Sequence, residues 1–176
     1  LHLPLAEYLL PRYGRKILCV GTDYLFPRES NRIMGDLLSE VGGRILGEYY
    51  LPFDAQKDSF SDVIREAKSL NADVIFSTVV GPGIVALYDA YASEGIDPGL
   101  MPIASLTTNE VHLQEMWFEP SPGHIICAPY FEAVRSVRNQ SFVSSYHKRF
   151  GSGRPADTCA EAAYFTVFFF ARALER

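Results

Sequence analysis

Short, unbroken apolar runs alternate along this chain with longer segments in which apolar residues recur every three or four positions. Runs of the first kind read as strands buried on both faces, and segments of the second kind as helices with one face on a core. Ile17-Leu18-Cys19-Val20-Gly21 marks a strand at 17–21, followed by a helix at 28–41 that Gly42-Gly43 terminates. Alternation over 44–51 gives a second strand. Phe60, Val63, Ile64, Ala67 and Leu70 share one face of a helix at 58–70, and 72–77 is a third strand. A helix at 82–94, a strand at 101–105, an irregular or helical stretch at 108–118 and a strand at 123–128 follow. Helices at 136–150 and 156–175 complete the pattern, separated by the breaker Gly151-Ser152-Gly153-Arg154-Pro155. Strands joined by helical crossovers predict an α/β fold: a three-layer sandwich with a mostly parallel, roughly five-stranded sheet, flavodoxin-like or Rossmann-like. A length of 176 residues, 48% of them hydrophobic, suits a single α/β domain over 1–176.

The same pattern narrows the function. The 16 basic residues are scattered among 21 acidic ones, for a net charge of −5, which disfavours direct nucleic-acid binding because that needs a concentrated positive surface. No window reaches the roughly 20 apolar residues of a membrane span. The nearest approach, 162–173 with Phe165 and Phe168-Phe169-Phe170, reads with Tyr164 as a helix packed into the core. Residues 1–13 start at Leu1 and lack the charged start, apolar centre and cleavage site of a signal peptide, so a fragment of a longer chain is expected. Cys19 and Cys127 fall in apolar runs and read as small buried hydrophobes. With Cys159 they make an odd, widely spaced set, and no disulfide framework or metal site is expected.

In open α/β sheets, ligands bind beyond the carboxyl ends of the strands. That rule selects 22–27, 78–83, 106–110 and 129–132. Gly81-Pro82-Gly83-Ile84-Val85-Ala86 satisfies a relaxed dinucleotide fingerprint. However, it follows the third strand, carries Pro82 where an amide donor is wanted, and has no acidic partner about 20 residues on, so no cofactor is assigned. There is no nucleophile elbow and no local histidine beside Ser77, so no catalytic residue is assigned and the chain is not expected to be an enzyme. Tyr24 and Phe26, two apart in an extended segment, point the same way. They either line one wall of a pocket or pack their loop onto the sheet edge. Thr107 and Thr108 offer hydroxyls at another strand end, where Thr108 and Asn109 equally suit a helix cap. Aromatic walls with hydroxyls and no central charge fit a small polar ligand.

The residues from Gly21 to Asn31 (Gly-Thr-Asp-Tyr-Leu-Phe-Pro-Arg-Glu-Ser-Asn) resemble a signature of the type I periplasmic and solute-binding protein superfamily. They are most similar to its aliphatic-amide sensors, which regulate amidase operons negatively, and to urea-binding components of ABC transporters. Phe76 to Gly81, Ala104 to Glu110, Ala128 to Phe131 and Glu161 to Tyr164 agree in order. The resemblance implies one lobe, the second, of a two-lobed hinged trap, with Tyr24, Phe26, Val80, Thr107 and Tyr130 facing the ligand. Phe26 stands where the amide sensors tend to have a second tyrosine, whereas 78–81 and 106–108 look like the amide sensors. The implied ligand is a short aliphatic amide, then urea, then a branched-chain amino acid. The implied function is an amide sensor that holds an antiterminator-type protein partner. The alternative is a transport receptor serving a membrane permease. The compartment is cytoplasmic on the first reading and periplasmic on the second.

Overall fold

The computed structural model describes residues 1–175, which form two compact units where the apolar pattern predicts one. The first comprises Leu1–Thr108 with Glu115–Cys127; the second comprises Asn109–Gln114 and the chain from Ala128 on.

The first unit holds the sheet. Its elements are α1 (His2–Leu9), β1 (Lys16–Thr22), α2 (Leu25–Glu40), β2 (Arg44–Leu51), α3 (Lys57–Ser69), β3 (Val74–Thr78), α4 (Gly83–Ser93), β4 (Ile103–Ser105) and β5 (Ile125–Ile126). All pairings are parallel, in the order β2-β1-β3-β4-β5. The period of two along each strand sorts its side chains between two helical layers. Leu18, Val20, Ile75 and Ile103 pack with Phe60, Val63 and Ile64 of α3 and Ile84, Leu87 and Tyr91 of α4. Ile17, Cys19, Val74, Phe76 and Ala104 face the other way, onto Leu5 and Leu9 of α1 and Met34 and Leu38 of α2. This is the expected three-layer α/β sandwich with five parallel strands. The helix α1 is an addition: Leu5, Ala6 and Leu9 make one buried stripe at helical spacing. The edge strand β5 is shorter than its apolar run, and Cys127, just beyond it, is only half-buried, whereas Cys19 is fully enclosed.

One histidine is part of this core. His124 Nδ1 accepts the Ile103 N–H at 3.0 Å, and the ring stands edge-on to Tyr88 and Tyr91 at 5.0 and 4.7 Å. Burial holds its pKa down to about 4, against an ordinary 6.5. The unfolded chain therefore takes up this proton below pH 6.5 while the folded chain refuses it until about pH 4. Stability falls across that window as pH falls, by about 3 kcal/mol in total, and levels off below it. Urea denaturation at intervals between pH 7.5 and 4 should show this loss in the wild type. It should show a loss smaller by about that amount in His124→Asn, whose side-chain oxygen can accept the same amide.

The second unit contains most of α5 (Glu110–Glu115), then α6 (Val137–Phe150) and α7 (Thr158–Leu174). Ser136 and Asp157 cap α6 and α7 through side-chain oxygens that accept the Asn139 and Ala160 amides. The Glu110 carboxylate accepts the Glu132 N–H at 2.8 Å. The core here is small: Tyr130, Phe142 and Ala156, with Val143 and Tyr146 against them. The expectation that the aromatic run of α7 lies in a core is not met. Tyr164 and Phe165 are 47% and 38% exposed, and Phe168, Phe169 and Phe170 are 55%, 67% and 66% exposed. Apolar character says that a side chain avoids water and not which surface covers it. Among the described residues of this unit, Phe142 of α6 meets the ring of Tyr164 at 4.7 Å, and that covers one side of α7 only.

Candidate functional site

The strand order turns at β1, which has β2 on one side and β3 on the other, so successive crossovers leave in opposite directions and open a crevice at the carboxyl ends of β1 and β3. Thr22, the last residue of β1, closes the floor: its hydroxyl accepts the Val80 N–H at 3.0 Å. Thr78 at the end of β3 donates weakly to Asn31 Oδ1 and to the Val20 carbonyl, both at 3.4 Å. Asn31, buried on α2, donates in turn to the Tyr50 hydroxyl at 3.0 Å. Tyr50 donates to the Glu48 carboxylate, and burial followed by that bond pushes its pKa up to about 12. The Arg28 guanidinium lies over the Tyr50 ring at 4.2 Å and pairs with Asp23 at 2.6 Å. The start of α2 is thus fixed to β1, β2 and β3 by polar groups that find their partners in one another.

Gly21 allows this close approach. A Cβ there would lie 2.5 Å from Thr78 Oγ1 and 2.7 Å from Pro27 Cβ, so α2 can sit this low over the sheet only above a glycine. Gly21→Ala should cost about 2 kcal/mol, as overpacking does in a closed core. Urea denaturation measures this, and an unchanged midpoint would mean that α2 rides higher over β1 than described.

On this base the sequence-predicted residues fall as follows. Tyr24 precedes α2 in an extended conformation, its N–H bonded to the Thr22 carbonyl at 2.9 Å. Phe26 does not continue that extended segment, because α2 begins at Leu25 and not near Arg28; its ring still lies 6.1 Å from that of Tyr24, and both are accessible, at 41% and 36% exposed. An open cavity of about 570 Å³ runs beside them, lined also by His2, Leu25, Glu29, Ser30 and Ile33. Val80 is half-buried after β3, and Gly81 turns the chain beside it with φ of +67° before α4 begins at Gly83. Thr107 donates its hydroxyl to the Val79 carbonyl at 2.5 Å, which joins the loops after β3 and β4. Behind it, Ser105 accepts the amides of Thr107 and Thr108 at 3.1 and 3.0 Å. Thr108 lies within 3.4 Å of the buried Tyr88 hydroxyl, whose pKa burial pushes up to about 12. Tyr130 belongs to the second unit, where it is buried and donates its hydroxyl to Asn139 at 2.7 Å.

The segments selected at the strand ends do not include the loop after β2, yet it carries Phe53, whose ring meets Tyr24 at 5.3 Å and is 54% exposed. The signal was present: Phe53 stands two residues past β2, as Tyr24 stands two past β1.

A periplasmic binding protein domain model matches residues 1–176. The chain belongs to the periplasmic binding protein domain family. Solved structures with the same fold include a leucine-, isoleucine-, valine-, threonine- and alanine-binding protein from Brucella ovis in a closed conformation. It has a TM-score of 0.80 at 16% identity, over 99% of this chain and 44% of that one. A solute-binding protein of an ABC transporter from Rhodopseudomonas palustris HaA2, in complex with p-hydroxybenzoic acid, gives 0.75 at 20% identity over 84% and 40%. A branched-chain amino acid ABC transporter periplasmic ligand-binding protein from Burkholderia xenovorans LB400 gives 0.71 at 17% over 86% and 39%. This periplasmic binding protein domain thus spans less than half the length of these relatives. In its first unit the exposed ends of β1, β3 and β4 present two aromatic rings, an aliphatic side chain and a hydroxyl. The charges beside them are paired, Asp23 with Arg28 and Glu29 with Arg32.

Proposed function

We propose that this chain supplies one wall of the ligand site of a solute-binding receptor that delivers a small, uncharged polar solute to an ABC-type membrane permease. Support for the transport role comes from the family and from the three structural relatives, which by description bind benzoates or amino acids or serve ABC transporters. The role is one of binding and not of catalysis, with Tyr24, Phe26, Val80 and Thr107 of the first unit as the contact residues.

The observation that carries the ligand class is the state of the Thr107 hydroxyl. Its proton is given to the Val79 carbonyl, so it meets a ligand as an acceptor. An N–H of an amide or of urea answers that acceptor, as an ammonium or a hydroxyl also would; a carboxylate oxygen does not, so the case against an amino acid or a benzoate rests on its carboxylate. A charged head group would also need a charged partner on burial, and this row of residues has none. The other part of the receptor then encloses the solute, and closure follows from tighter binding in the closed state. The resemblance of 78–81 and 106–108 to amide sensors supports a second reading, in which the same pocket controls release of an antiterminator-type protein.

Calorimetric titration of the full-length receptor with acetamide, butyramide, urea, leucine and 4-hydroxybenzoate tests the ligand class. Binding of the neutral solutes alone is expected, and binding confined to leucine or 4-hydroxybenzoate would overturn it. Uptake of the bound solute by cells with and without the protein separates the two roles: a transport receptor is required for uptake, and a sensor is not.

A further inference from the structure

We infer that Phe53 forms the far wall of the same site and sets the length of apolar tail the ligand carries. This inference rests on the proposed binding role. Phe53 lies on a turn that the fold pins down. The Leu51 carbonyl before it accepts the Asp23 N–H at 2.8 Å, and the Ala55 N–H closes the turn on the Pro52 carbonyl at 3.0 Å. Ala55 is buried in the core beside Phe60 and Val63, and the Gln56 side chain bonds the Asp54 carbonyl at 2.7 Å. The turn is tied down by these backbone bonds and by the buried Ala55, and Phe53 is its one large apolar side chain left in water. Its ring extends the row begun by Tyr24 and Phe26 toward the β2 edge of the sheet.

Direction along the row then follows. Thr107, whose hydroxyl reaches from the end of β4 to the Val79 carbonyl just past β3, offers the polar contact, and Val80, Tyr24 and Phe53, past the ends of β3, β1 and β2, offer apolar area. Neighbouring strands are about 4.8 Å apart, so β3 to β2 spans roughly 10 Å. A two-carbon amide is too short to reach both ends. The arrangement suits an amide whose hydrocarbon tail runs from the β3 side onto the faces of Tyr24 and Phe53.

Titration of the full-length receptor and its Phe53→Ala variant with acetamide, propionamide, butyramide and valeramide, and with leucine and 4-hydroxybenzoate beside them, tests this. In the wild type, affinity should rise about fourfold with each methylene that is buried. In Phe53→Ala the rise should fall below about twofold per methylene, with acetamide itself within about twofold of wild type and Phe53→Leu in between. An equally steep series in wild type and variant would overturn the role of Phe53 and leave the binding role standing. If the wild type takes only leucine or 4-hydroxybenzoate, the amide reading fails, and Phe53 stands or falls on whether Phe53→Ala weakens that solute tenfold or more. Binding of none of the six would overturn both.

Discussion

Replacing Phe76 by alanine should destabilise the sheet-bearing unit by about 4 kcal/mol, the range for removing a phenylalanine from a closed core being roughly 3–5. The strand β3 that carries it is paired on both sides, by β1 and β4. Phe76 is 0% exposed and points into the layer formed by α1 and α2, where Leu5, Leu9, Met34 and Leu38 pack in the same cluster and the His2 ring stands 6.1 Å away. Those neighbours sit on two helices packed against a sheet whose strands are hydrogen-bonded in register, so they relax little into the space a missing ring leaves. Against a total stability of about 5–15 kcal/mol for a domain, the loss brings the unit close to unfolding. Urea denaturation followed by circular dichroism reads it directly. A loss below about 1 kcal/mol would mean that α1 and α2 do not close this face of the sheet.

Tyr24→Ala should leave stability almost unchanged and weaken the solute by about 30- to 100-fold, equivalent to about 2–3 kcal/mol. The two readouts separate because the ring is 36% exposed in the chain by itself, so its removal leaves little cavity, whereas in the occupied site it loses a whole apolar wall. The ring also supports its neighbours, Phe26 on one side and Phe53 on the other, at 6.1 and 5.3 Å. Both lose that support in the variant. Tyr24→Phe isolates the hydroxyl: if the wall acts through its area, this variant binds within a few-fold of wild type. Equal affinity for wild type and Tyr24→Ala would remove Tyr24 from the site.

The sheet was legible because burial on both faces imposes a pattern along single segments. Ile17 and Cys19 against Leu18 and Val20, and Ile75 against Val74 and Phe76, alternate between the two layers as a period of two requires. The helix α1 falls outside the strand–helix alternation, because its short Leu5, Ala6 and Leu9 stripe precedes the first apolar run. In the aromatic run of α7, apolar composition does not amount to burial, because the described residues of its unit cover so little of it. In the site, Tyr24, Phe26, Val80 and Thr107 could be chosen because each follows a strand end. The clamp of Asp23, Arg28, Tyr50 and Asn31 could not, because it joins α2 to residues on β2 that no local spacing connects. Phe53 was within reach of the strand-end rule and needed only its application to β2.

A crystal structure of the full-length receptor with butyramide should show the solute lying across the carboxyl ends of β1, β3 and β4, with the amide N–H donating to Thr107 Oγ1, Val80 beside the head group, and the hydrocarbon tail within about 4 Å of the Tyr24 ring. Butyramide bound elsewhere, with Tyr24 and Thr107 facing solvent, would contradict that placement.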